Sequence, residues 1–162
     1  MKTPPASRPG AAKARGLRVL VLQSRFNAAV VSGLAAGAVE YLREMGATTE
    51  VEMAPGAYEL PLLAQTAGFT GRYDAIVALG AVIRGDTDHY EHISREAARG
   101  IMDASLTTGV PVGFGVLTVT KESHAVARSR RDPHNKGREA AVAAVETALL
   151  LKKMTAAGKK RT

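Results

Sequence analysis

The chain has no cysteine, no tryptophan and only seven aromatic residues among 162. Without thiols it can build neither a disulfide framework nor a thiolate metal site, and the redox compartment is left open. No apolar run approaches the ~18 residues that a membrane-spanning helix needs. The first sixteen residues, MKTPPASRPGAAKARG, carry charge but lack the apolar segment of a secretory signal. A cytoplasmic protein with no membrane partner is expected.

Acidic residues are outnumbered, 15 against 22 basic, and a net charge of +7 could signal nucleic-acid binding. Its location argues otherwise. Residues 1–16 hold four of the cations and 152–162 hold five, with no acid in either segment, leaving 13 basic against 15 acidic residues in 17–151. Charge confined to terminal segments is ordinarily solvated. The few aromatics are not interleaved with a basic patch, as a single-strand binder requires. Nucleic acid is not expected as a partner.

What is present is a regular alternation. A length of 162 residues suits one domain with a real core. Residues 1–16, rich in Pro, Ala, Gly and cations, are expected to form a flexible arm. Strands are expected at 17–22 (LRVLVL), 48–54 (TTEVEMA), 75–83 (AIVALGAVI) and 111–119 (PVGFGVLTV). Helices are expected at 28–45, 58–68, 90–108, 122–130 and 137–156, from apolar spacing and from stop signals such as Gly46 and Gly109. Residues 157–162 make a basic tail. This order predicts an α/β fold, a three-layer sandwich in which helices cover both faces of a four-stranded parallel sheet, flavodoxin-like in plan. In 139–151 Ala, Val and Leu occupy nearly every side of the helix. A cylinder apolar all round must be covered all round, which points to subunit contacts.

The most informative stretch is 79–92, LGAVIRGDTDHYEH. A buried run stops at Arg84-Gly85 and is followed within seven positions by Asp86, Thr87, Asp88, His89, Glu91 and His92. In open α/β sheets ligands bind just beyond the carboxyl ends of strands, where this cluster falls. His89 can exchange a proton near neutral pH, or it is a plain surface histidine at a helix start. Asp86 and Thr87 offer a hydroxyl and helix-start amides to an anion, or one of them merely caps the helix. The His and carboxylate spacing matches no zincin-type motif, so no metal is expected.

Other candidates are scattered. Arg128, Arg130, Arg131, Lys136 and Arg138 crowd eleven positions, opposed locally only by Asp132, and one or two of them could clamp a phosphate. Glu59, behind Pro55-Gly56-Ala57-Tyr58, either accepts hydrogen bonds from a ligand or complements a helix dipole. Phe26 and Phe114 could each stack a planar ring, with a core role the ordinary reading for Phe114. Gly113-Phe114-Gly115 lies inside a strand and fails as a dinucleotide fingerprint, and no GxxxxGK[ST] occurs. A receiver domain would need paired acids after the first strand; Gln23-Ser24-Arg25 supplies none.

Together Ser24-Arg25-Phe26-Asn27, PGAYELP (55–61), GAVIRGDTDHYEH (80–92), TTGVPVGFGVLT (107–118), Arg128 and Asn135-Lys136-Gly137 resemble the lumazine synthase family of riboflavin biosynthesis, in order and spacing, across 17–156. The resemblance implies a catalytic domain over those residues. It implies condensation of 5-amino-6-(D-ribitylamino)uracil with 3,4-dihydroxy-2-butanone 4-phosphate to 6,7-dimethyl-8-ribityllumazine, releasing phosphate and water, without cofactor or metal. On it, Phe26 stacks on the pyrimidine, Ala57, Tyr58 and Glu59 line the ribityl side, and Ala81, Val82 and Ile83 bind the uracil edge. Asp86, Thr87 and Arg128 hold the phosphate and His89 transfers protons. Phe114, Arg128 and Lys136 come from a neighbouring subunit. The implied assembly is a homopentamer at least, with a sixty-subunit capsid as the larger alternative and riboflavin synthase as a candidate partner. Sixty-subunit members carry a Gly-rich Thr-Lys-Ala-Gly loop where this chain has Ser-Arg-Arg-Asp-Pro-His-Asn (129–135). Two rival readings share the anion site: another phosphate-eliminating or Schiff-base enzyme, and a ligand-binding shell protein without turnover.

Overall fold

The computed structural model describes residues 14–158. Four parallel strands, β1 (Arg18–Ser24), β2 (Thr48–Ala54), β3 (Ala75–Ile83) and β4 (Val112–Val119), form one sheet in the order β2-β1-β3-β4. Five helices connect and cover them: α1 (Ala28–Glu44), α2 (Leu60–Phe69), α3 (His89–Thr108), α4 (Glu122–Ser129) and α5 (Lys136–Gly158). The expected α/β sandwich is therefore the observed one.

Strand alternation sorts the side chains into two cores. Val19 and Val21 of β1 and Val77, Leu79 and Ala81 of β3 face α1, α4 and α5, where they meet Val31, Leu34, Ala38, Ala125, Ala141 and Val145. Leu20, Leu22, Ile76 and Ala78 face the other way, onto Leu60, Ala64, Ile101 and Ala104 of α2 and α3. The period of two thus becomes two apolar layers.

Element ends moved by one or two residues. Strand β1 continues through Gln23 and Ser24 because both stay in register with Met53 and Ala54 of β2. Pro61 lies in the first turn of α2, and residues 57–59 ahead of it form a separate 3-10 turn. Pro lacks an N–H and tolerates only the first turn of a helix. Helix α1 gives way to Gly46 and α3 to Gly109, with φ of 76° and 71°, the left-handed conformation that glycine adopts without strain.

Two expectations need correction. Of the proposed arm, residues 1–13 lie outside the described residues, but 14–16 form a turn in which Ala14 is buried and donates its N–H to the Met45 carbonyl. Of the basic tail, 157 and 158 belong to α5, and 159–162 lie outside the described residues. Helix α5, apolar on nearly every side over 139–151, buries Ala140, Ala141, Ala144, Val145 and Ala148 within the chain itself, yet leaves Leu150, Leu151 and Met154 exposed.

Candidate active site

The connection from β1 leads outward to β2, and the next strand, β3, returns on the opposite side of β1. Strand order therefore reverses between β1 and β3, and their carboxyl ends open a crevice at that switch point. Ser24 ends β1 there, Phe26 and Asn27 follow it, and Ala81, Val82 and Ile83 end β3 beside them. Pairing between these strands stops at Gln23 and Leu79, so the Ala81 carbonyl has no partner on β1. The Asn27 side-chain amide fills that place, donating to Ala81 O at 2.8 Å. Asn27 is also the one non-glycine residue with positive φ among the described residues (φ 55°, ψ 47°). Asn tolerates that conformation better than most side chains, and strained residues gather at functional sites. Sequence reading assigned Asn27 no role; its place directly after Phe26 was the available signal.

Phe26 is 70% exposed, leaving most of its ring open beyond the end of β1. One wall beside it comes from the 3-10 turn. A Cβ built on Gly56 would lie 2.9 Å from Glu59 Oε2 and 3.3 Å from Phe26 Cδ2, so carboxylate and ring stand side by side over that glycine. Ala57 is buried and Tyr58 exposed. A Cβ on Gly80 would lie 3.2 Å from Ser24 Oγ and 3.5 Å from the Ala57 Cβ, which brings β1, β3 and the turn together beneath the crevice. Ser24 is 2% exposed and its hydroxyl lacks a hydrogen-bond partner.

Beyond β3 the backbone of Arg84 still donates to Val119 O at 2.9 Å, and the loop then runs free to α3. Asp86, Thr87 and His89 are all exposed. The residue preceding α3 is Asp88, whose carbonyl accepts from the amides of Glu91 and His92, so neither Asp86 nor Thr87 is the N-cap. His89 opens the helix. Carboxylates, a hydroxyl and an imidazole thus occupy the loop and first helical turn that follow β3. Among the described residues no group of three or more His, Asp or Glu side chains is arranged to hold a metal ion.

The remaining candidates lie elsewhere in the chain. Phe114 pairs opposite Ala78 on the edge strand β4, with β3 between it and β1. It is 46% exposed, so the core role read from its strand setting is wrong: β4 is an edge, and Phe114 lines a shallow groove of about 260 Å³ with Ala98, Ile101, Met102, Ser105 and Val112. The cation cluster is also less lopsided than local counting implied. Arg131 pairs with Glu40 at 2.8 Å, Arg138 with Glu44 at 2.6 Å, and Lys136 with Glu139 one turn along. Beside Arg131, Glu40 is held below the usual carboxylate range, chiefly by their hydrogen bond. Arg128, in the last turn of α4, donates to its own helix at His124 O and has no carboxylate partner among the described residues.

A parallel sheet whose order reverses between β1 and β3, with an exposed aromatic and a carboxylate beyond β1 and an imidazole after β3, is the arrangement of an α/β enzyme that takes small molecules at its switch point. Comparison with known proteins narrows this. Residues 16–152 match the 6,7-dimethyl-8-ribityllumazine synthase family. The chain is 49% identical to 6,7-dimethyl-8-ribityllumazine synthase 1 of Caulobacter vibrioides over 140 residues, 85% of this chain and 92% of that one. It is 45% identical to the Deinococcus radiodurans 6,7-dimethyl-8-ribityllumazine synthase over 87% of this chain and 93% of that one. With the Nitratidesulfovibrio vulgaris enzyme of the same name it shares 41% over 90% and 95%. The chain belongs to the 6,7-dimethyl-8-ribityllumazine synthase family, transferases of riboflavin biosynthesis.

Proposed function

We propose that the crevice between β1 and β3 condenses 5-amino-6-(D-ribitylamino)uracil with 3,4-dihydroxy-2-butanone 4-phosphate. Residues 17–156 act as one catalytic domain. Phe26 stacks on the pyrimidine, Ala57, Tyr58 and Glu59 face its ribityl chain, and Ala81, Val82 and Ile83 meet the uracil edge. Asp86, Thr87 and Arg128 take the phosphate. The amine attacks the ketone to give a Schiff base and water, phosphate leaves by elimination, and a second condensation closes the ring. His89 moves the protons. None of these steps needs a redox cofactor, because each makes or breaks a C–N or C–O bond with accompanying proton transfers and no net change of oxidation state. Positioning of that kind can contribute roughly 7–11 kcal/mol, and general acid–base help about 10²–10⁴-fold.

The observation that carries this reading is the exposed Phe26 ring beside the Glu59 carboxylate at the switch point. A bare aromatic next to a hydrogen-bond acceptor suits a flat heterocycle with a polyhydroxyl tail. Mixing the two compounds and following lumazine absorbance tests it. No product, with both compounds bound, would favour a shell protein without turnover.

The assembly is a homopentamer in the same reading. Exposed Val51 and Met53 mark the β2 edge of the sheet, and exposed Met102, Leu106 and Phe114 mark the β4 edge. Apolar surfaces on opposite edges suit head-to-tail contacts, which close into a ring. Such contacts would carry Phe114, Arg128 and Lys136 toward a neighbour's crevice. Light scattering measures the assembly and separates a pentamer from a sixty-subunit shell. No described helix is long and apolar enough to cross a membrane, and we place the enzyme in the cytoplasm. Riboflavin synthase, the next enzyme of the route, is the candidate protein partner.

A further inference from the structure

Helix α4 carries Arg128, yet it has only eight residues and buries a single one, Ala125. So short a helix does not stand by itself; something outside it must fix its direction. The fixing element is Asn135, 1% exposed, at the start of α5. Its amide nitrogen lies 3.0 Å from Gly33 O, 3.0 Å from Ser129 O and 2.9 Å from Arg130 O, and its Oδ1 accepts the Arg138 N–H at 3.0 Å. One side chain thus caps α5, satisfies the final carbonyls of α4 and ties both to α1.

The site asks for two N–H donors, one of them shared between two carbonyls, together with an acceptor for the α5 amide. A serine would cap α5 but could not also serve three carbonyls. An aspartate would set a charged acceptor against them. The face of α1 that receives this segment is shaped for it at helical spacing: Gly33, Gly37, Glu40 and Glu44. A Cβ at Gly37 would fall 2.3 Å from Asn135 Oδ1, and one at Gly33 would fall 2.4 Å from Ser129 O. Beyond the two glycines, Glu40 takes Arg131 and Glu44 takes Arg138.

We propose that Asn135 is a positioning residue for phosphate recognition: its buried amide holds the end of α4 on α1 and thereby sets where the Arg128 guanidinium points. The proposal rests on Arg128 being the phosphate ligand. The amide touches neither substrate; it acts through the carbonyl of Ser129, the residue next to Arg128. Placement matters because a bidentate guanidinium–phosphate contact tolerates little angular error.

The test is steady-state kinetics of Asn135→Ser, which keeps a helix cap and removes the amide, beside Arg128→Ala. Inorganic phosphate serves as the competing probe. In Asn135→Ser the KM for the butanone phosphate and the inhibition constant for phosphate should both rise about tenfold. The KM for the pyrimidine should stay within about twofold. Should the serine variant be recovered unfolded, Gly33→Ala, whose added Cβ displaces the Ser129 carbonyl and with it the end of α4 while leaving Asn135 in place, is read the same way. A purely structural role would lower kcat with the folded fraction and leave both KM values alone; that result overturns the proposal. If Arg128→Ala itself leaves the butanone phosphate KM unchanged, the phosphate assignment fails first, and this inference with it. If Arg128→Ala raises it while the Asn135 variant does not, only the inference fails.

Discussion

Replacing Phe26 by alanine separates binding from folding, because most of the side chain lies outside the core. The ring is 70% exposed. A phenylalanine presents about 200 Å² in all, so roughly 60 Å² of it is covered by the fold. At about 25 cal/mol per Å² the buried part is worth about 1.5 kcal/mol to stability. For a chain of this length that corresponds to a fall of about 3–6 °C in Tm. Stacking of a heterocycle on an aromatic ring is worth about 1–3 kcal/mol. The KM for the pyrimidine should therefore rise roughly 5- to 150-fold. The assay is lumazine formation with the pyrimidine varied at saturating butanone phosphate, then the reverse, alongside a thermal melt. Phe26→Tyr should retain most of the affinity, and Phe26→Leu, apolar but without a π face, should not. An unchanged pyrimidine KM in Phe26→Ala, or an equal rise in both KM values, would refute the stacking role.

Further outcomes follow from other parts of the structure. Asn27→Ala loses the bond to Ala81 and must hold φ 55° without a polar side chain, about 2 kcal/mol together, whereas Asn27→Gly loses only the bond, about 1 kcal/mol. Urea unfolding at fixed protein concentration compares the two, and equal losses would mean that the backbone conformation is unstrained. His89→Ala should slow turnover while leaving measurable activity, since positioning survives; complete loss with intact substrate binding would contradict that weighting. Asp74 accepts from the Arg18 backbone N–H and pairs with Lys152, both at 2.8 Å. Burial alone would raise its pKa, but the Lys152 and Arg18 hydrogen bonds outweigh it and hold the carboxyl below its ordinary value. A depressed carboxylate stabilises the fold above its unfolded pKa of about 4, and the contribution is lost as pH falls through the lower folded value. Asp74→Asn should therefore cost about 1 kcal/mol at neutral pH and flatten the acid limb of the stability curve; parallel limbs would rule the linkage out.

Much of this molecule was legible in the order of its residues. Continuous apolar runs marked β1 and β3, alternation every two positions marked β2, and spacing of three and four marked α1, because burial is set among residues within a few positions of one another. The run from Leu79 to His92 announced a strand end followed by chemistry for the same local reason. Motif order was enough to name the family. What it could not supply were partners distant along the chain. Asn27 reaches Ala81 across 54 positions, Arg131 reaches Glu40 across 91, and Asn135 reaches Gly33 across 102. Counting charges near Asp132 therefore misjudged the cation cluster, because the counter-ions of Arg131 and Arg138 stand on α1. The setting of Phe114 likewise depended on β4 lying at an edge of the sheet.

Local periodicity determined which segments form strands and helices, since it acts through sterics and burial between near neighbours. Only tertiary structure decided that β1 and β3 lie side by side with their carboxyl ends opening a crevice. It alone decided that the Asn27 amide, just beyond β1, fills a hydrogen-bonding gap on β3, and that a buried asparagine joins α1, α4 and α5. Those outcomes depend on how the chain returns upon itself, and a hydrogen bond or ion pair forms only where that return brings donor and acceptor within about 3 Å.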